Sequence, residues 1–248
     1  MCTLAVAWRA FADRPVVAVG TREESFDRPS EPPAVREWDN RTVAPLDARA
    51  GGTWIGANED GVFAAITNRW TDGGPAGERS RGLLVRDALG RTSAEAAARA
   101  IEDELETRSY AGFNLVVADA TAAVLIEHGA RTVVGSLAPG VHVIVNVGAD
   151  GRYEIPSDRA EPGGQRAESG DRIGRALRPE PGETGGEWRA RAEETLADHD
   201  YGACVHGDGF GTRSATSIAV DEAGLECRHA PGPPCRTAFE PVATNDQL

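Results

Sequence analysis

Residues 2–29 read Cys2-Thr3-Leu4-Ala5-Val6-Ala7-Trp8, a break at Ala10–Arg14, then Pro15-Val16-Val17-Ala18-Val19-Gly20-Thr21, running directly into Arg22-Glu23-Glu24-Ser25-Phe26-Asp27-Arg28-Pro29. Two apolar runs on either side of a short polar break are the pattern of a β-hairpin. The spacing predicts strands at Thr3–Trp8 and Pro15–Thr21, with a charged block at the end of the second. Outward from this hairpin, Gly51–Gly56 opens a further strand and Gly61–Asn68 is the next, with Asn58–Gly61 as the turn. Glu23–Ala50 has prolines, charges and no clear period, and is expected to be a long loop.

Two helices follow. The first is expected at Arg81–Leu89. The second is expected behind a capping box at Thr92 and Glu95, with Ala97, Ile101 and Leu105 on one face. Strands are expected at Phe113–Asp119, Ala123–Glu127, Thr132–Leu137 and Val141–Val147. A short helix around Ile173, Ala176 and Leu177 is expected within the Gly- and Pro-rich Ser157–Gly186. Another helix is marked by Trp188, Ala192 and Leu196. A last strand pair lies at Thr212–Val220 and around Glu226–Arg228. Strands and helices arrive in blocks rather than in alternation, which favours an α+β fold with antiparallel sheets covered by helices. One domain over 1–242, with a frayed tail at 243–248, is expected.

The 248 residues include 39 Asp and Glu against 26 Arg and no Lys, a net charge of −13. That balance argues against binding a phosphate backbone. It fits either an Arg-favouring genome with a solvated acidic face, or a halophile-like cytoplasm where molar salt shortens the Debye length to about 3 Å. No apolar run approaches a membrane helix and no signal peptide is apparent, so a cytoplasmic protein is expected. The four cysteines, Cys2, Cys204, Cys227 and Cys235, are too few for a disulfide scaffold. The P-loop, G-x-G-x-x-G, G-x-S-x-G and H-E-x-x-H patterns are absent.

Cys2 carries the first candidate chemistry. Removal of Met1 would put a thiol and a free α-amine on one residue. An amine titrating near 7.7–8.0 can serve as base to the adjacent nucleophile. The plain alternative is a small buried residue opening a strand. The Thr21–Pro29 block could orient a substrate or could be a solvated loop. Two C-x-H pairs, Cys204-Val-His206 and Cys227-Arg-His229, with Cys235 beyond, could converge on a metal or be ordinary cysteines and surface histidines. Their spacing is not the usual zinc spacing, and no metal is assigned to them.

Taken in order, Cys2 before an apolar strand, T-R-E-E at 21–24, G-G-T-W-I-G at 51–56, A-I-T-N at 65–68, R-G-L-L-V at 81–85, Pro139-Gly140 leading to Asn146, and F-G-T-R-S at 210–214 resemble the NRDE family, also called the transport-and-Golgi-organisation protein 2 family. The likeness runs from Cys2 to about Val220. The name motif Asn-Arg-Asp-Glu stands here as Thr21-Arg22-Glu23-Glu24, keeping the arginine and the last glutamate. The resemblance implies an N-terminal nucleophile hydrolase-like fold, a four-layer αββα sandwich. It implies cleavage of a non-peptide amide or acyl bond. Cys2 would be the nucleophile, Arg22 would stabilise thiolate or substrate, and Glu23 or Glu24 would hold the amine. Asn146 would donate to an oxyanion, with Asn68 a second donor. Arg213 and Trp54 are further substrate-binding candidates. No cofactor follows from such chemistry. The family's links to haem trafficking and acyl metabolism imply, as an alternative, a haem or acyl-ligand carrier on the same fold. A scaffold has no motif in its favour beyond the acidic surface. A small-molecule substrate or ligand is expected, and the oligomeric state is left open.

Overall fold

The computed structural model describes residues 3–74, 77–221 and 224–244. In chain order the strands and helices are β1 (Thr3–Trp8), β2 (Val16–Ser25), β3 (Ser30–Glu37), β4 (Arg41–Asp47), β5 (Ile55–Asn58), β6 (Phe63–Asn68), α1 (Arg81–Leu89), α2 (Ala94–Thr107), β7 (Phe113–Ala118), β8 (Ala123–His128), β9 (Thr132–Ser136), β10 (Gly140–Val145), β11 (Gly148–Ala149), β12 (Arg152–Tyr153), α3 (Ala160–Ala176), α4 (Gly185–Ala197), β13 (Phe210–Asp221), β14 (Gly224–Ala230) and β15 (Glu240–Pro241). Eight strands form one sheet in the order β12-β11-β10-β1-β2-β13-β14-β15, and seven form the other in the order β3-β4-β5-β6-β7-β8-β9. The pairings are antiparallel. No helix among the described residues is long and apolar enough to cross a membrane.

The apolar run of β1 follows from burial on both faces. Leu4, Val6 and Trp8 point into the core between the sheets, with Phe63, Leu115 and Ile218. Ala5 and Ala7 point the other way, onto Ile173 and Leu177 around the end of α3 and Trp188, Ala192 and Leu196 of α4. A strand covered on both sides has no polar face to alternate with its apolar one. Helices α1 and α2 cover the seven-stranded sheet through Leu84, Val85, Ala97 and Ile101. The layers therefore run α3/α4, eight strands, seven strands, α1/α2, the αββα sandwich that the family resemblance implies. The chain passes from the first sheet to the second between β2 and β3, beside the start of β1. It returns between β9 and β10, where Gly140 faces Trp8 at the other end of β1.

Three expectations are corrected. Glu23–Ala50 is not a loop: β2 continues to Ser25, and β3 and β4 make an edge hairpin. Pro32 and Pro33 fall where the register of β3 shifts on the sheet's outer edge, a place where missing N–H groups are tolerated. Pro45 lies beyond the last β4–β5 pair. The N-cap of α2 is Ser93 rather than Thr92: its side chain accepts from the Ala96 N–H at 3.2 Å, and Asp119 accepts from the Ala94 N–H at 2.7 Å. A full capping box occurs instead at Thr184 and Glu187, opening α4. Helix α3 spans 17 residues where only a short helix was expected. Its glycines hid it, and one of them has a packing reason. A Cβ on Gly170 would lie 2.7 Å from the Tyr153 hydroxyl and would push that side chain aside.

Candidate active site

At the start of β1, Thr3 faces Thr21 of β2 on one side and Val145 of β10 on the other. Cys2, one peptide bond before Thr3, lies outside the described residues. Beyond Thr21, strand alternation sends successive side chains of β2 to opposite faces. Arg22 turns toward the intersheet layer, its guanidinium carbon 4.3 Å from the centre of the Trp54 ring. Glu23 turns toward α3, where its Oε2 accepts from Arg166 Nη2 at 2.5 Å. Asn146 directly follows β10, and Asn68 ends β6 of the other sheet. The Asn146 amide nitrogen donates to the Asn68 carbonyl at 2.9 Å, and the Trp70 N–H donates to the Asn146 carbonyl at 2.8 Å. These two bonds join the sheets at this end.

Arg22, Glu23 and Asn146 are 3%, 2% and 0% exposed. Burial lowers the Arg22 pKa from its ordinary value, against the opposing charge of Glu24. Five buried side-chain atoms here have no hydrogen-bond partner among the described residues: Thr3 Oγ1, Thr21 Oγ1, Arg22 Nη1, Glu23 Oε1 and Asn146 Oδ1. Each such group costs about 1–3 kcal/mol, and native structures keep few of them. These five gather around one strand end, next to residues 1 and 2, which lie outside the described residues.

Glu23, Asn68 and Asn146 open onto a cavity of about 370 Å³. Its wall also holds Arg69, Arg81, Arg159 and Arg166, with Trp70, Val205 and Phe210. Arg69 is held by Asn114, Glu127 and Glu154 at 2.7–2.9 Å. Arg159 lies 4.9 Å over the Trp70 ring and has no carboxylate partner among the described residues.

The other sequence candidates sit beside this cavity rather than on its wall. Glu24 accepts from the Ser25 N–H at 3.0 Å and lies 3.8 Å from Arg28, which pairs with Asp47 at 2.5 Å. Arg213 is the extra residue where the β13 register shifts between Thr212 and Ser214. Its Nη1 donates to the carbonyls of Ser25 at 3.1 Å and Arg28 at 2.5 Å, fastening the crossing into β3. Trp54 supports Arg22 from beneath. The G-G-T-W-I-G and R-G-L-L-V segments interlock: a Cβ on Gly52 would stand 2.3 Å from the Gly82 carbonyl carbon, and the Thr53 N–H donates to the Gly82 carbonyl at 2.9 Å. That contact places Arg81 at the cavity.

Sequence reasoning missed Arg69, Arg159, Arg166 and Trp70. The spacing of seven between Arg159 and Arg166, two helical turns, was the one available signal for a shared face. The two C-x-H pairs do not converge. Cys227 packs into the intersheet core, and His229 meets Thr216 Oγ1 at 3.0 Å. Cys204 and His206 instead meet Cys235 and His199.

Comparison with known structures finds the same architecture in several hydrolases. The penicillin V acylase of Agrobacterium tumefaciens aligns with a TM-score of 0.61 at 15% identity, over 97% of this chain and 84% of that one. A Caenorhabditis elegans ortholog of N-acylethanolamine-hydrolyzing acid amidase aligns at 0.57 and 14% identity, over 88% and 92%. At these identities the likeness is one of fold, and that fold is the N-terminal nucleophile hydrolase sandwich. Among curated sequences, the human Transport and Golgi organization protein 2 homolog is 31% identical over 111 residues, 44% of this chain. The mouse homolog is 29% identical over 109 residues, 42% of this chain. The matched segments span 40% and 38% of those relatives' own lengths. Residues 1–168 match the Transport and Golgi organisation 2 family throughout, and the chain belongs to that family.

Proposed function

We propose that the protein is an N-terminal-cysteine hydrolase of a non-peptide amide or related acyl bond, with the reacting group held at the start of β1. The observation that carries this reading is the cluster of buried, unpartnered polar atoms on Thr3, Thr21, Arg22, Glu23 and Asn146. Residue 2 is joined by one peptide bond to Thr3, a member of that cluster.

The Cys2 thiol would pass its proton to its own α-amine and attack the substrate carbonyl. The guanidinium of Arg22 would favour the thiolate. Of the two glutamates, Glu23 faces the cavity and has a free oxygen to accept from the α-ammonium, whereas Glu24 is turned toward Arg28. The second N–H of the Asn146 amide would donate to the oxyanion, an effect worth about 10²–10³ in rate. The protonated amine would then release the leaving amine, and water would cleave the thioester. The arginine-rich wall suits a substrate with a carboxylate or another anion, and Arg159 has no acidic partner among the described residues. The same charged wall suits the apolar faces of a haem poorly, which favours hydrolysis over the carrier reading.

The absence of lysine supplies a direct test. Once Met1 is removed, the α-amine of Cys2 is the chain's only primary amine. Intact mass should show loss of one methionine, and a thiol probe should label Cys2 fastest. Reductive methylation should then modify one amine and abolish hydrolysis of anionic N-acyl amides, as should Cys2→Ala. Retained Met1, or turnover that survives Cys2→Ala, overturns the proposal.

A further inference from the structure

Far along the chain from the cluster at β1, four metal-binding side chains meet where the approach to β13 passes the turn after β14. His199 follows α4, Cys204 and His206 lie in the connection to β13, and Cys235 follows β14. Each offers one ligand atom, and the four atoms lie within 4.8 Å of one another. His206 Nε2 is 3.3 Å from His199 Nε2, 3.2 Å from Cys235 Sγ and 3.8 Å from Cys204 Sγ. A tetrahedral zinc ion with Zn–N near 2.05 Å and Zn–S near 2.3 Å requires edges of about 3.3 Å between nitrogens and about 3.6 Å between nitrogen and sulfur. The three observed edges agree to a few tenths of an ångström. Hydrogen bonding does not account for the grouping, because one imidazole nitrogen carries at most one proton and here faces three neighbours.

We propose that His199, Cys204, His206 and Cys235 form a structural zinc site that ties the cavity wall to the C-terminal turn. Four protein ligands leave no open position, the mark of a structural rather than catalytic zinc. Binding releases both thiol protons to solvent, and two thiolates neutralise the ion. The short hairpin fastened by these ligands is closed by Thr212 N–H to Val205 carbonyl and Val205 N–H to Thr212 Oγ1, both at 2.8 Å. It carries Val205 and Phe210 of the wall. The site stands independently of whether the cavity is hydrolytic.

The test uses the full chain purified under reducing conditions. Elemental analysis should find one zinc per chain. Titration of the metal-free protein with cobalt(II) should give, at one equivalent, the intense visible bands of a tetrahedral site and a thiolate-to-cobalt charge-transfer band. Cys204→Ser and Cys235→Ser should each weaken metal binding roughly tenfold or more, while Cys227→Ala leaves it unchanged. Because the cobalt spectrum is read on the unaltered protein, a variant that fails to fold does not decide the outcome. Reduced protein that takes up neither metal overturns the proposal. So does a Cys204–Cys235 disulfide in fresh protein that, once reduced, gives no charge-transfer band.

Discussion

Replacing Arg166 by Met removes the one partner that the Glu23 carboxylate has among the described residues. Oε2 loses the 2.5 Å contact with Arg166, and Oε1 has no partner among the described residues to begin with. Glu23 is 2% exposed, so water does little to replace what is lost. Removing one member of a buried ion pair costs about 3–5 kcal/mol, chiefly as the penalty of the charge left behind. In a chain of this size that corresponds to roughly 10 °C in Tm. Urea unfolding at pH 7 of the parent, Arg166→Met, Glu23→Gln and the double variant forms a complete cycle. The double variant should be more stable than Arg166→Met by about 2 kcal/mol or more, because a neutral amide tolerates the dry site better than a lone carboxylate. A cost below about 1 kcal/mol for Arg166→Met, or no recovery in the double variant, would refute the account of Glu23 as a buried charge held by α3.

Three further outcomes are expected. Gly52→Ala drives a Cβ into the backbone of Gly82 and should destabilise by more than about 3 kcal/mol in thermal unfolding, with loss of the cavity's Arg81 wall. Burial lowers the His229 pKa to about 4, so its folded form resists protonation. Its contribution to stability is complete above the unfolded value of about 6.5, falls as pH drops toward 4, and is level below that. At pH 5 the parent should have lost about 2 kcal/mol relative to pH 7.5 that His229→Gln does not lose, as read from urea midpoints. Trp8→Phe removes the indole donor that meets the Asp119 carbonyl at 2.8 Å, and should cost about 1–3 kcal/mol by urea unfolding at pH 7.

Burial decided what could be read from the sequence. Strand β1, the first half of β2 and most of β6 and β7 are apolar because both their faces are covered, and α4 declares itself through Trp188, Ala192 and Leu196. The β3–β4 hairpin has an exposed, proline-bearing outer strand and sends no such signal. Helix α3 is masked by its glycines, of which Gly170 packs closely against Tyr153. The candidate site divides in the same way. Glu23, Asn68 and Asn146 belong to short motifs at strand ends and line one cavity, a grouping that the sequence offered only through the family resemblance. Spacing alone could not say which of Glu23 and Glu24 lines the cavity, because that depends on which face of β2 meets α3. Arg69 follows β6 while Arg159 and Arg166 belong to the start of α3, and the meeting of the two groups is a property of the tertiary fold.

The two passages of the chain between the sheets lie at opposite ends of β1, one at Ser25–Ser30 and the other at Ser136–Gly140. The layers are thus laced diagonally rather than hinged along one edge. A stack joined at a single edge can fan open like a book, whereas one laced at both ends resists both fanning and sliding. Asn68 comes from one layer and Asn146 from the other, so the relative position of these two amides is set by the lacing of the whole sandwich. Insertions in either crossing should therefore disturb the amide pair even when made far from it in sequence.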